Sequence, residues 1–148
     1  MFKSNYIKNR LRNAVLYMFR KSNDPLANTL RYRKDPGLFG PESMTWRIIS
    51  DVSGFMGGVR ALLIQAAHPE VVAGVYDHSL YKEDPFGRLS RTGDYVAVTC
   101  FGAMPEVNRI IQIVHKMHER VQGVSVRGKA YNANSPDLSA WVHNCLVN

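Results

Sequence analysis

Residues 42–69 read ESMTWRIISDVSGFMGGVRALLIQAAHP, with apolar side chains at 46, 49, 52, 55, 56, 59, 62, 63 and 66. That spacing is the 3.6-residue period of one helix face, and Pro69 closes the run. The spacing predicts one long amphipathic helix over this stretch. Such a stripe has to be buried against other elements, so the chain is committed to packing helices in layers around a core.

The segments that follow carry the same signature. PEVVAGVYDHS begins on proline, a favoured first helical residue, and predicts a short helix to about His78. RLSRTGDYVAVTCFG contains the β-branched and aromatic run YVAVTCF and reads either as a helix or as a helix start followed by a strand. The helical signals around it favour helix. After GAMP, Pro105 and Glu106 open a helix whose inward stripe is Val107, Ile110, Ile111, Val114, Met117 and Val121, with Gly123 as its end. VSVRGKAYNANS is expected to be loop. Ser135 or Asp137 with Pro136 then starts a last helix bearing Leu138, Trp141, Val142, Cys145 and Leu146. The expected fold class is all-α, a single multi-helix domain with one core, as befits 148 residues.

The charge is lopsided. Residues 1–34 hold nine Lys or Arg against one acid, Asp24, while the rest of the chain is nearly neutral. A basic face spread over the domain would point to nucleic acid, and confinement of the charge to a leader argues against it. In that leader Tyr6, Leu11, Val15, Met18 and Phe19 recur at helical spacing among cations. A helix docked on the body, an interfacial helix on anionic lipid through residues 1–22, and an organellar transit peptide all fit. The segment NDPLANTLRYRKDPGLFGPES, with three prolines and two glycines, predicts loop with a short helical turn. No apolar run approaches the roughly 20 residues that span a bilayer. Cys100 and Cys145 form no paired motif and read as buried small hydrophobes, which suits a reducing, cytoplasmic setting.

Three groups of residues invite a functional reading. Gly54, Gly57 and Gly58 sit inside the first predicted helix, where each costs about 1 kcal/mol relative to alanine. Gly54 and Gly58 share a face, open either to a neighbouring helix or to a flat ligand. His118 falls on the inward face of its helix, with His115 at the edge; it is either a hydrogen-bonded core histidine or a ligand to iron in an apolar slot. Arg88 and Thr92 share a helix face with Arg91 beside them, as a solvated basic turn or as polar partners of a cofactor. His68 and His143, in AAHPE and WVHN, sit where a histidine orients a helix end. There is no HExxH, Gly-rich phosphate loop or GxSxG elbow.

Taken together, GFMGGVRALLIQAAHPEVVAGVYDHS, DPFGRLSRT, VHKMHERVQG and GKAYNANSPDLSAWVHNCLV resemble the MpaB-type oxygenases, whose catalytic domain is shared with latex-clearing rubber oxygenases. The likeness runs from about Gly37 to the end and sets off residues 1–36 as an arm and loop. The resemblance implies an all-α haem-binding fold with haem b, His118 as iron ligand, and Arg88 and Thr92 as the polar pair near the haem. Gly54 and Gly58 become candidates for cofactor contact. Where some latex-clearing enzymes place a lysine before that threonine, this chain has Arg91, which stays charged and is limited to charge and hydrogen bonding. The implied reaction is oxidative cleavage of a C=C bond in an apolar, isoprenoid-like small molecule by O₂. The alternative is a non-catalytic helical remnant without haem that works through its basic arm. Family domains extend past WVHNCLV, so the expected fold is an incomplete version of a larger one, with exposed apolar surface favouring a homo-oligomer.

Overall fold

The computed structural model describes residue 10, residues 24–51 and residues 53–147. The expected arm helix on Tyr6, Leu11, Val15, Met18 and Phe19, with its membrane contact, lies outside the described residues. Among those described, a 3-10 turn at Ala27–Tyr32 precedes α1 (Met44–Ser50), α2 (Ser53–Gln65), α3 (Pro69–His78), α4 (Pro85–Phe101) and α5 (Met104–His118). A small antiparallel hairpin, β1 (Gln122–Val124) and β2 (Ala130–Asn132), then leads to α6 (Pro136–Val147). The fold is all-α with that hairpin as an appendage.

Capping explains where the helices begin. Ser43 Oγ accepts from Trp46 N at 3.1 Å and starts α1. Asp84 accepts from Gly87 N at 3.0 Å and starts α4. A Cβ on Gly87 would collide with the Asp84 carboxylate, so this cap depends on the glycine. Prolines occupy the first turns of α3, α4 and α5, where a missing N–H costs nothing.

The long helix expected over 42–69 is two helices. Asp51 is extended, with φ −83° and ψ 151°, and its N–H closes α1 on Ile48 O. Gly54 N then bonds Asp51 O at 3.0 Å to start the next turn. The apolar pattern alone cannot show such a break, and on α2 the expected inward stripe is largely open, with Met56, Val59 and Leu63 exposed. By contrast α4 runs unbroken through Gly93 to Phe101, resolving the helix-or-strand ambiguity in favour of helix.

The core gathers at the link between α4 and α5. Val98, Cys100, Ala103 and Val107 are buried there, and Ala103 and Val107 are wholly inaccessible. Gly37, at φ +67°, brings the leading loop so close that a Cβ would strike Gly102 O. Ala103 N donates to Thr29 Oγ1 at 3.4 Å. Trp46 of α1 meets Phe101 of α4 edge-on, with ring centroids 4.8 Å apart. On the other side α6 packs along α2, burying Cys145 and Ala61. Both cysteines are free and buried, as expected.

Candidate functional site

Packing that is tight at the α4–α5 link loosens away from it. Along α5, Val107 is buried, Ile110 and Val114 are half-buried, and Ile111 and Met117 are 43% and 56% exposed. The inward stripe expected on this helix is therefore inward only in its first turns. Ile111 and Met117 face solvent because α5 packs chiefly on α4 among the described residues. The helix also stops at His118. Gly123, expected as its end, lies in β1 opposite Tyr131, since the chain turns into a hairpin that the sequence pattern shows as loop.

His118 is the last residue of α5 and half-buried. Desolvation, with a smaller contribution from the nearby His115, holds its pKa below the usual imidazole value, so the neutral form with a free nitrogen lone pair is favoured. His115 is exposed. Asn134 Nδ2 donates to the His115 carbonyl at 3.1 Å, tying the end of α5 to the loop before α6.

Arg88, at the opening of α4, is also half-buried. Its guanidinium is pushed down from its ordinary pKa by desolvation first and by Arg91 second, and no acid faces it among the described residues. Thr92 is exposed and its hydroxyl donates back to Arg88 O at 3.1 Å, a local helix contact. Arg91 is exposed and stands 3.6 Å from Asp84, the α4 cap. Arg88 and His118 both lie on the α4–α5 pair at the end away from the Gly102–Ala103 link. Their charges are each perturbed by a neighbour on the same helix and not by each other.

The glycines separate. A Cβ on Gly54 would lie 3.0 Å from Ile48 O and 3.2 Å from Ile49 O, so its bare face is taken up by the end of α1. Gly58 and Gly57 would meet nothing within 4 Å, so their faces are open.

A second polar cluster was not visible in the sequence. Glu70, in the first turn of α3, is buried, with its Oε2 3.2 Å from His68 Nδ1 and its Oε1 accepting from Ser125 Oγ at 3.4 Å. The His68 approach is close but off the line of a good hydrogen bond, and Trp141 Nε1 is buried without a described acceptor. The His68 and Trp141 rings lie 5.3 Å apart, so the N-cap histidine of α3 seats α6. His143 is exposed on α6 and outside its last turn. One turn along α3 from Gly74, Tyr131 Oη donates to Asp77 Oδ2 at 2.7 Å, and His78 Nε2 lies 3.2 Å from Gln122 O. His68, Glu70, Asp77 and His78 sit in AAHPEVVAGVYDHS and Tyr131 in GKAYNANS, while their partners Gln122, Ser125 and Trp141 lie elsewhere in the chain.

No three His, Cys, Asp or Glu side chains gather as a metal cluster among the described residues, and a haem site needs only one imidazole. An open depression lined by Leu30 to Asp35 contains none of the residues above. Among the described residues no helix is long and apolar enough to cross a membrane.

The family described as "ER-bound oxygenase mpaB/B'/Rubber oxygenase, catalytic domain" matches residues 46–148. "Uncharacterized protein Rv2237" of Mycobacterium tuberculosis and "Uncharacterized protein Mb2261" of Mycobacterium bovis are each 33% identical over 90 residues. Those matches cover 57% of this chain and 35% of each relative, so the likeness spans about a third of the relatives' length. No solved structure matches. With its matched region holding α2 to α6, His118, Arg88 and Thr92, the chain belongs to the MpaB and rubber oxygenase catalytic-domain family.

Proposed function

We propose that the chain is an oxygenase-type domain that binds haem b through His118 and cleaves a C=C bond of an apolar, isoprenoid-like small molecule with O₂. Family membership supplies the reaction class. The observation that carries the haem reading is His118 itself, a half-buried imidazole favoured in its neutral form at the end of α5. That is the kind of donor an iron atom takes, which supports the fit of His118 to the group.

Haem, when bound, would supply the binding and activation of O₂. The chain's own residues bind and orient. His118 offers the nitrogen lone pair. Arg88 offers a half-buried cation free of an acid among the described residues, suited to a carboxylate such as a propionate. Arg91, charged and set against Asp84, steadies the start of α4 and does not shuttle protons. Thr92 keeps its oxygen available to accept while its proton is committed to Arg88 O. Gly58 leaves backbone open to a flat group, and Gly54 sets the α1–α2 junction that carries it.

Exposure of Ile111 and Met117 favours a second reading, a haem-free helical domain that self-associates through the outer face of α5. An absorption spectrum of the 148-residue chain from haem-supplemented cells separates the two. A Soret band lost in His118→Ala and kept in His115→Ala is the expected result. A colourless protein that also fails to take up added haemin overturns the haem reading.

A further inference from the structure

We propose that the tip of the β1–β2 hairpin inserts into an anionic lipid surface. Gly123 pairs with Tyr131 and Val124 with Ala130. Ser125 N donates to Lys129 O at 2.8 Å and Gly128 N to Ser125 O at 2.9 Å, so the turn is Val126, Arg127 and Gly128, with Gly128 at φ +74°. This is the pattern of a three-residue hairpin loop whose last position wants glycine. Ser125 points inward to Glu70 and is buried, Val124 alternates outward at the end of β1, and Val126 stands out at the first turn position.

The two valines are 64% and 100% exposed. An aliphatic side chain held wholly in water gives nothing to folding. It is also not on a loose loop, because the Ser125–Glu70 and Tyr131–Asp77 bonds fasten both strands to α3. Arg127 and Lys129 flank the valines, are exposed, and face no acid among the described residues. A fixed turn that carries two exposed valines beside two cations matches a bilayer interface, where the valines reach the acyl boundary and the cations stay at phosphate level. Nucleic acid would use the cations and leave the valines in water. The tip is distinct from residues 1–22 and does not rest on the haem reading.

The test uses the full chain carrying Val126→Cys labelled with an environment-sensitive fluorophore; Cys100 and Cys145 are buried. Vesicles of phosphatidylcholine are compared with vesicles in which about a third is phosphatidylserine. The expected result is a blue shift on the anionic vesicles alone, abolished in Arg127→Glu with Lys129→Glu. Each cation is expected to contribute about fivefold to partitioning. Sedimentation of unlabelled Val126→Asp with the same vesicles should fall about tenfold. An unshifted probe overturns the proposal, whether the chain fails to sediment or sediments through residues 1–22 alone. Binding to an oligonucleotide that the charge reversals remove, without a shift on vesicles, also overturns it.

Discussion

Tyr131 Oη donates to Asp77 Oδ2 over 2.7 Å, joining residues 54 apart in sequence and fixing the hairpin to α3. The ring is buried, with Gly74 on one side and Gly123 on the other. Tyr131→Phe keeps the ring and deletes the bond, while Asp77, which is exposed, regains water. A loss of about 1 kcal/mol in urea unfolding is expected.

The same pair sets an alkaline limit. Desolvation first, then the hydrogen bond to Asp77 and its charge, push the Tyr131 phenol from 10.0 up to about 12. A raised pKa means that the fold favours the protonated phenol. Its contribution is complete below pH 10 and is lost as pH rises toward 12. Phenolate absorbance should show one late-titrating tyrosine that Tyr131→Phe removes, with the wild type losing its stability advantage over the same interval.

Local chemistry was legible in the sequence, and long-range partners were not. Proline at the first turn, with Ser or Asp beside it in the last case, located α3, α5 and α6, because capping and ring geometry act within one turn, whereas the Asp84–Pro85 start of α4 went unread and that helix was expected only from Arg88. The break at Asp51 was hidden because periodicity reports which side of a segment is apolar, not whether the backbone is continuous or how much of that side is covered. The hairpin was hidden because strands of three residues are too short for an alternation signal. His118 was read as inward, and half-burial agrees. Ile111 and Met117 were misread because a helix's apolar stripe does not say how far a neighbour extends along it.

Two glycine substitutions should move stability in opposite directions. A Cβ on Gly123 would lie 2.7 Å from Tyr131 Oη and 2.9 Å from Cζ, and Tyr131 is pinned by Asp77 and cannot yield cheaply. Gly123→Ala should destabilise by roughly 1–3 kcal/mol. Gly58→Ala meets nothing and removes a poor helix former from α2, so a gain of about 0.5–1 kcal/mol is expected. Thermal unfolding of the two variants side by side checks the contrast. If haem lies against Gly58, that gain shrinks or reverses in the haem-loaded protein.

Glu70 should govern how firmly α6 is seated. Its carboxylate is buried, helped by its place in the first turn of α3, and it is shared between His68 and Ser125. Glu70→Gln keeps an acceptor for Ser125 and loses the charge beside His68, for an expected cost of about 1 kcal/mol. Glu70→Ala strands Ser125, removes the carboxylate beside His68 and leaves a cavity, for roughly 2–4 kcal/mol. Because His68 lies against Trp141, loosening should reach α6 first. In a Trp46→Phe background, where emission reports Trp141 alone, Glu70→Ala should red-shift the fluorescence at denaturant concentrations that leave helical circular dichroism intact. Coincident transitions by both probes would mean that the Glu70 cluster contributes only to global stability and does not set the position of α6.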